Sequence, residues 1–209
     1  MTHMQDDLDL AARYAAARPP LGAPAVAEMV TSVTTHRDFR VRGAALGALV
    51  RVGRNRQTRT AWQRAVGDPA AAVRRRAAEL APSIVPAPVV GLLTLLGDAD
   101  PFVAETAAWA LGEAAWNGRT RARVVGALGA AALGHADPLV RESAVAALGA
   151  IGDVRGLPAI LTACGDRPPI RRRAVLALAP FEGPEVDAAV ERALTDADWQ
   201  VRQAAEDLR

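Results

Sequence analysis

Small and apolar residues recur along this chain at the three- and four-residue spacing of one helical face, and the whole pattern then repeats every thirty or so residues. The clearest copy runs from His135 to Gly152. Asp137 stands where its carboxylate can accept from free backbone N–H groups at a helix start. Pro138 follows at the first helical position, where its missing N–H costs nothing. Val140, Ala144, Ala147, Leu148 and Ile151 then form an apolar stripe, and Gly149 and Gly152 loosen and end the helix.

Laid along the chain, this copy finds others. The residue equivalent to Val140 is Val41, Val73, Val103, Val140, Ile170 and Val201, at separations of 32, 30, 37, 30 and 31. Four positions after each stands alanine: Ala45, Ala77, Ala107, Ala144, Ala174 and Ala205. Seven after come Ala48, Leu80, Ala110, Ala147, Ala177 and Leu208. Small residues at fixed helical positions let neighbouring helices approach closely, and self-similarity with a period in the thirties predicts a stack of helical pairs. First helices are predicted at 23–35, 56–66, 87–96, 119–133, 156–164 and 184–194. Second helices are predicted at 39–52, 70–81, 101–115, 138–150, 168–179 and 198–208. A further amphipathic helix over 4–18, carried by Leu8, Leu10, Ala11 and Tyr14 and ended by Pro19-Pro20, is expected to cap one end of the stack. With no strand pattern and no linker, the expectation is a single repeat domain over 1–209, its capping helix within 1–20 and six repeats over 22–209.

Composition refines this. Half of the residues are hydrophobic (51%) but only 4% aromatic, so helices must pack closely with little bulk between them. The chain is long enough to bury about 70% of its unfolded surface. A net charge of +2 does not by itself imply a polyanionic partner. All 25 basic residues are arginine, which suits bidentate recognition of phosphate or carboxylate. Abundant Ala, Gly and Pro beside scarce Ile, Asn, Tyr and Phe instead point to GC-rich codon usage. Cys164, the sole cysteine, rules out an intramolecular disulfide and a cysteine-based metal site. No run of some 20 apolar residues and no secretory pattern appears, so a cytoplasmic location is expected. His3, His36 and His135 lack metal-ligand spacing and are expected as solvated surface residues. With no nucleophile–base arrangement, phosphate-binding glycine loop or zinc motif, no metal or cofactor is expected.

The run Asp137-Pro138-Leu139-Val140-Arg141-Glu142-Ser143-Ala144, continuing to Leu148-Gly149, resembles the HEAT repeat in its short variety, first associated with phycobilisome lyases. Asp100-Pro101-Phe102-Val103, with Ala107, Leu111 and Gly112, matches almost as well. The resemblance covers about 22–209 and implies a right-handed α-solenoid of about six HEAT-like helical pairs, with second helices lining its concave face. Such repeats occur in scaffolds, adaptors, regulatory subunits, chromophore lyases and some DNA glycosylases; nothing local supports the lyase reading.

One position after the key valine, arginine recurs as Arg42, Arg74, Arg141, Arg171 and Arg202, and only Ala104 breaks the series. The resemblance implies that these arginines pair with loop aspartates of adjacent units, for which the candidates are Asp38, Asp68, Asp100, Asp137, Asp166 and Asp198. Further arginines cluster at 74–76, at 171–173, at Arg51, Arg54, Arg56, Arg59 and Arg64, and at Arg119, Arg121 and Arg123. A nucleic-acid partner would need these on one connected surface.

The third pair departs most from the repeat. Glu105, Trp109 and Glu113 form one stripe at i, i+4 and i+8, and at the Trp109 position the other copies carry Gly47, Glu79, Ala146, Leu176 and Asp207, none of them aromatic. Arg75 and Glu79 are expected beside them on the previous second helix, Glu142 on the next, and Trp116 one turn beyond or packed into the loop. An aromatic face between carboxylates suits a cation. The leading expectation is a protein-interaction or regulatory scaffold that binds a protein or peptide on the concave face. The alternative is a small enzyme in which Glu105 and Glu113 act as acid and base on a cationic ligand or intermediate, as a biosynthetic enzyme or in the manner of a DNA glycosylase. No membrane partner is expected.

Overall fold

The three-and-four spacing folds as helix throughout the computed structural model, which describes residues 2–53 and 56–209. Helix α1 is Thr2–Ala16. Six pairs follow: α2 Ala23–Thr35 with α3 Phe39–Val52, α4 Arg56–Val66 with α5 Ala71–Leu80, α6 Val89–Leu96 with α7 Pro101–Glu113, α8 Gly118–Gly134 with α9 Pro138–Ile151, α10 Leu157–Ala163 with α11 Pro168–Ala177, and α12 Pro184–Ala193 with α13 Trp199–Glu206. Short 3-10 turns at Ala81–Ser83 and Val154–Gly156 finish α5 and introduce α10. The architecture is therefore all-α, built of repeated helical pairs after one N-terminal helix. The long step of 37 residues between Val103 and Val140 is absorbed by α8, which runs for 17 residues.

Helix starts follow the expected capping chemistry. Asp38 accepts from the Arg40 N–H, Asp137 from Leu139, and Asp198 from Gln200 and Val201. Helix α9 ends at Gly152, whose φ of 63° is the left-handed conformation that glycine adopts without strain. The key valines and isoleucine and the alanines four positions later are all buried.

Two compact units divide the chain, one up to Val103 and one from Ala104. In the first, α1 packs on α3 and α3 on α5, while α2, α4 and α6 form a second layer. Trp62 fills the space between layers: its indole N–H donates to the Ala77 carbonyl at 2.7 Å, and its ring lies where a Cβ on Gly91 would come within 2.6 Å. In the second unit, α9 packs on α8 and α11, and α11 on α13. Here glycine sets the helix spacing. A Cβ on Gly112 would stand 2.9 Å from the Ala147 Cα, and one on Gly149 would stand 2.8 Å from the Ala177 Cα. Among the described residues no helix is long and apolar enough to cross a membrane.

Candidate functional site

Each second helix fans its polar residues in distinct directions, and the arginine after the key valine points to the loop of the following repeat. Arg42 donates through Nε and Nη2 to both oxygens of Asp68, at 2.7 Å each. Arg74 holds Asp98 in the same fork, Arg141 holds Asp166 and Arg171 holds Asp196. The third guanidinium nitrogen of each turns back to its own loop, as in Arg141 Nη1 to the His135 carbonyl at 2.9 Å. Arg202 makes only this inward bond in kind, to the carbonyls of Asp196 and Ala197. The arginine fork holds the carboxyls of Asp98, Asp166 and Asp196 below their usual range.

Four of the six expected partners are corrected. Asp68 and Asp166 pair as anticipated, but Asp38, Asp100, Asp137 and Asp198 spend their carboxylates on helix caps. Asp98 and Asp196, two residues earlier, take the arginines instead. The Asp-x-Asp spacing of 98/100 and 196/198 carried that signal: the first aspartate anchors the rung, the second starts the helix. Asp68, five residues before Val73 where Asp100 and Asp137 stand three before Val103 and Val140, is likewise a first aspartate, with Ala70 in the cap position. His36 and His135 are not simple surface residues. The Nδ1 of each accepts the backbone N–H of the capping aspartate two residues on, at 3.1 Å, as the first aspartate does elsewhere.

The arginine clusters are dispersed. In 74–76, Arg74 serves the ladder while Arg75 and Arg76 approach Glu79 at 3.6 and 2.9 Å. In 171–173, Arg171 serves the ladder, Arg172 is exposed and Arg173 approaches Glu142 at 3.6 Å. Arg59 donates to the carbonyls of Val85 and Pro86, and Arg121 to that of Trp116. Arg54 lies outside the described residues. Sequence neighbours within a cluster thus serve different partners.

In the second unit, Trp109 is 44% exposed, with Glu105 one turn before it and the exposed Glu113 one turn after. Helix α7 is held to α9 beside it: the Ser143 hydroxyl donates to the Glu105 carbonyl at 3.0 Å, and Gly112 meets Ala147. At the Trp109 position the next two repeats carry Ala146 and Leu176. These line an open hollow of about 430 Å³ with Gly149, Ala150, Arg173 and Pro180. Glu142 and Arg173 flank this face as an ion pair. Trp116 is buried, and its indole N–H donates to the Leu111 carbonyl at 2.7 Å, so it packs the loop. Arg75 and Glu79 occupy the same two stripe positions of the second repeat, in the first unit, and pair with each other. Burial pushes the Cys164 thiol up to about 11, which leaves it protonated and a poor nucleophile at neutral pH. Among the described residues no group of three His, Cys, Asp or Glu is placed to hold a metal ion.

Known proteins match this chain in fold. The sequence family described as HEAT repeats matches residues 89–179 and, overlapping, 125–208. No curated protein matches the chain. Among solved structures, YIBA of E. coli is similar with a TM-score of 0.65 at 16% identity, covering 98% of this chain and 81% of its own. Computationally designed armadillo repeat proteins for modular peptide recognition are similar with a TM-score of 0.59 at 18% identity, covering 88% of this chain and 98% of theirs. An engineered protein gives 0.60 at 21% identity, covering 90% of this chain and 97% of its own. At these identities the likeness is one of fold.

Proposed function

Because the chain belongs to the HEAT-repeat family, we propose that it is a binding module that takes a protein segment against its second helices, with Trp109 as the anchor. The carrying observation is the exposed indole itself. Where the other repeats carry Gly47, Glu79, Ala146, Leu176 and Asp207, the third places a large aromatic, half in solvent, between two carboxylates. Exposed tryptophans ringed by polar groups are the residue type most enriched among interface hot spots. The neighbouring hollow over Ala146 and Gly149 gives an adjacent side chain a place to sit. Glu105 and Glu113 favour a segment that brings a basic side chain over the ring. Designed repeat proteins of similar fold are built for peptide recognition, which supports this class of partner.

The enzyme alternative would be favoured by a closed pocket enclosing Trp109 and its glutamates; the hollow one repeat along is open and lined by no carboxylate. Panning a displayed peptide library on the full chain tests the proposal. Peptides rich in Arg or Lys should be enriched, and Trp109→Ala should weaken them by about 2 kcal/mol or more while the melting temperature stays within a degree or two. Peptides that bind Trp109→Ala as tightly as the unchanged protein would overturn it.

A further inference from the structure

A second charged feature lies on the second helices of the first unit, independent of Trp109. Helix α3 carries Gly43, Gly47 and Arg51 on one stripe, at the positions that hold Glu105, Trp109 and Glu113 in the third repeat. A Cβ on Gly43 would meet nothing within 4 Å, so the face is bare at that turn. Three guanidiniums gather along it. Arg18 Nη1 and Arg51 Nη2 each donate to the Ala15 carbonyl at 3.2 Å, which brings both to one oxygen. Arg51 Nη2 also donates to the Tyr14 carbonyl at 2.9 Å, and Arg18 Nη1 to that of Ala17 at 3.0 Å. On its other side, Arg51 Nη1 would stand 3.4 Å from a Cβ on Gly47, and Arg76 Nη2 3.0 Å from the same point. The absence of a side chain at Gly47 is what lets the two forks converge.

The acceptors of Arg18 and Arg51 are backbone carbonyls, which carry no net charge. Desolvation and the neighbouring charges of Arg18 and Arg76 together lower the Arg51 pKa, the response of a cation among cations. Arg76 also meets a carboxylate, that of Glu79, which accepts from it at 2.9 Å and lies 3.6 Å from Arg75. Three forks against one shared carboxylate leave the row strongly positive.

We propose that Arg18, Arg51 and Arg76 form a binding site for a dianionic phosphoryl group. A planar guanidinium matches phosphoryl oxygens in pairs. Two negative charges and three terminal oxygens answer three converging forks better than the single charge of a carboxylate does. The open surface at Gly43, one turn before the point where Arg51 and Arg76 meet over Gly47, leaves room for the group to reach them. Glu79 competes with the ligand for Arg76 and sets the affinity.

Titration calorimetry at constant ionic strength tests this on the full chain, with inorganic phosphate, a phosphoserine peptide and its unphosphorylated form as probes. Phosphate or the phosphopeptide should bind, and Arg76→Gln should weaken that binding about tenfold or more. Glu79→Gln should tighten it. Arg51→Gln should also abolish binding, but Arg51 also holds the end of α1, so Arg76→Gln, which breaks no such bond, is the deciding variant; its helical signal and melting curve should match the unchanged protein. Binding of inorganic phosphate as well as peptide identifies a site for free phosphorylated compounds; binding of the phosphopeptide alone identifies a phosphorylated partner. No binding of either probe, equal binding by Arg76→Gln, or equal binding of the unphosphorylated peptide would overturn the proposal. So would duplex DNA that binds the protein and Arg76→Gln alike while phosphate does not.

Discussion

At the scale of the residue, the arginine fork is the main polar contact between repeats. Each rung satisfies a carboxylate and a guanidinium that are mostly removed from solvent; in Arg141–Asp166 the side chains are 13% and 23% exposed. Breaking such a charge-assisted pair costs more than breaking a surface ion pair, on the order of 1.5–3 kcal/mol. Arg141→Ala should therefore lower stability by about 2 kcal/mol in denaturant titrations at neutral pH. Its pH dependence follows from Asp166, whose folded-state carboxyl titrates below its unfolded value because of the Arg141 fork. The stabilisation is full above the unfolded pKa, near 3.9, and disappears as pH falls through the lower folded value. The gap between Arg141→Ala and the unchanged protein should thus be constant above about pH 5 and close towards pH 2. A gap independent of pH would show that the rung contributes through packing alone. The existence of the ladder was legible from arginine recurring after the valine. Half of its carboxylates were not, because a capping aspartate and a rung aspartate differ only by two positions in a loop, and the loop conformation decides which faces the arginine.

Helices were the most legible feature, since apolar spacing marks them and aspartate caps fix the starts of α3, α7, α9 and α13; α2, α3 and α4 fall on the expected bounds. What periodicity does not carry is which faces meet. The Arg18–Arg51–Arg76 row needs α1 against α3, and α1 stands outside the repeat, so no alignment of copies could bring Arg18 to it. Likewise, Trp109 stood out as a departure from the repeat, whereas the inward turn of Trp116 depends on a loop after α7. Glycine shows the distinction by experiment. Gly43 and Gly149 both lie inside helices, where alanine is intrinsically better by about 0.5–1 kcal/mol. Gly43 faces open space, so Gly43→Ala should raise stability by about that amount. Gly149 faces the backbone of Ala177, with a Cβ 2.8 Å from its Cα. Gly149→Ala must push α9 from α11 and should lower stability by about 1–3 kcal/mol. Thermal melts of the two variants should move in opposite directions.

Across the whole chain the ladder falls into two runs, Arg42 and Arg74 among the residues up to Val103, and Arg141 and Arg171 among those from Ala104. Where it lapses, both halves of a rung are replaced at once. The arginine position of the third repeat is Ala104, and the rung-aspartate position of the fourth, five residues before Val140, is His135. The first repeat, which follows α1, carries His36 at the same place. A histidine thus stands where the backbone N–H of the capping aspartate needs an acceptor but no guanidinium arrives. The lapse is then a matched pair of substitutions, and restoring it requires both. Ala104 is fully buried, so Ala104→Arg alone places an unpaired charge inside and should destabilise by several kcal/mol. His135→Asp alone keeps the cap acceptor and should change little. Together they rebuild the fork, and the double variant should recover about 1–3 kcal/mol over the sum of the single changes. A coupling energy near zero in that cycle would mean that the repeats at this point are not in the register that the rest of the ladder keeps.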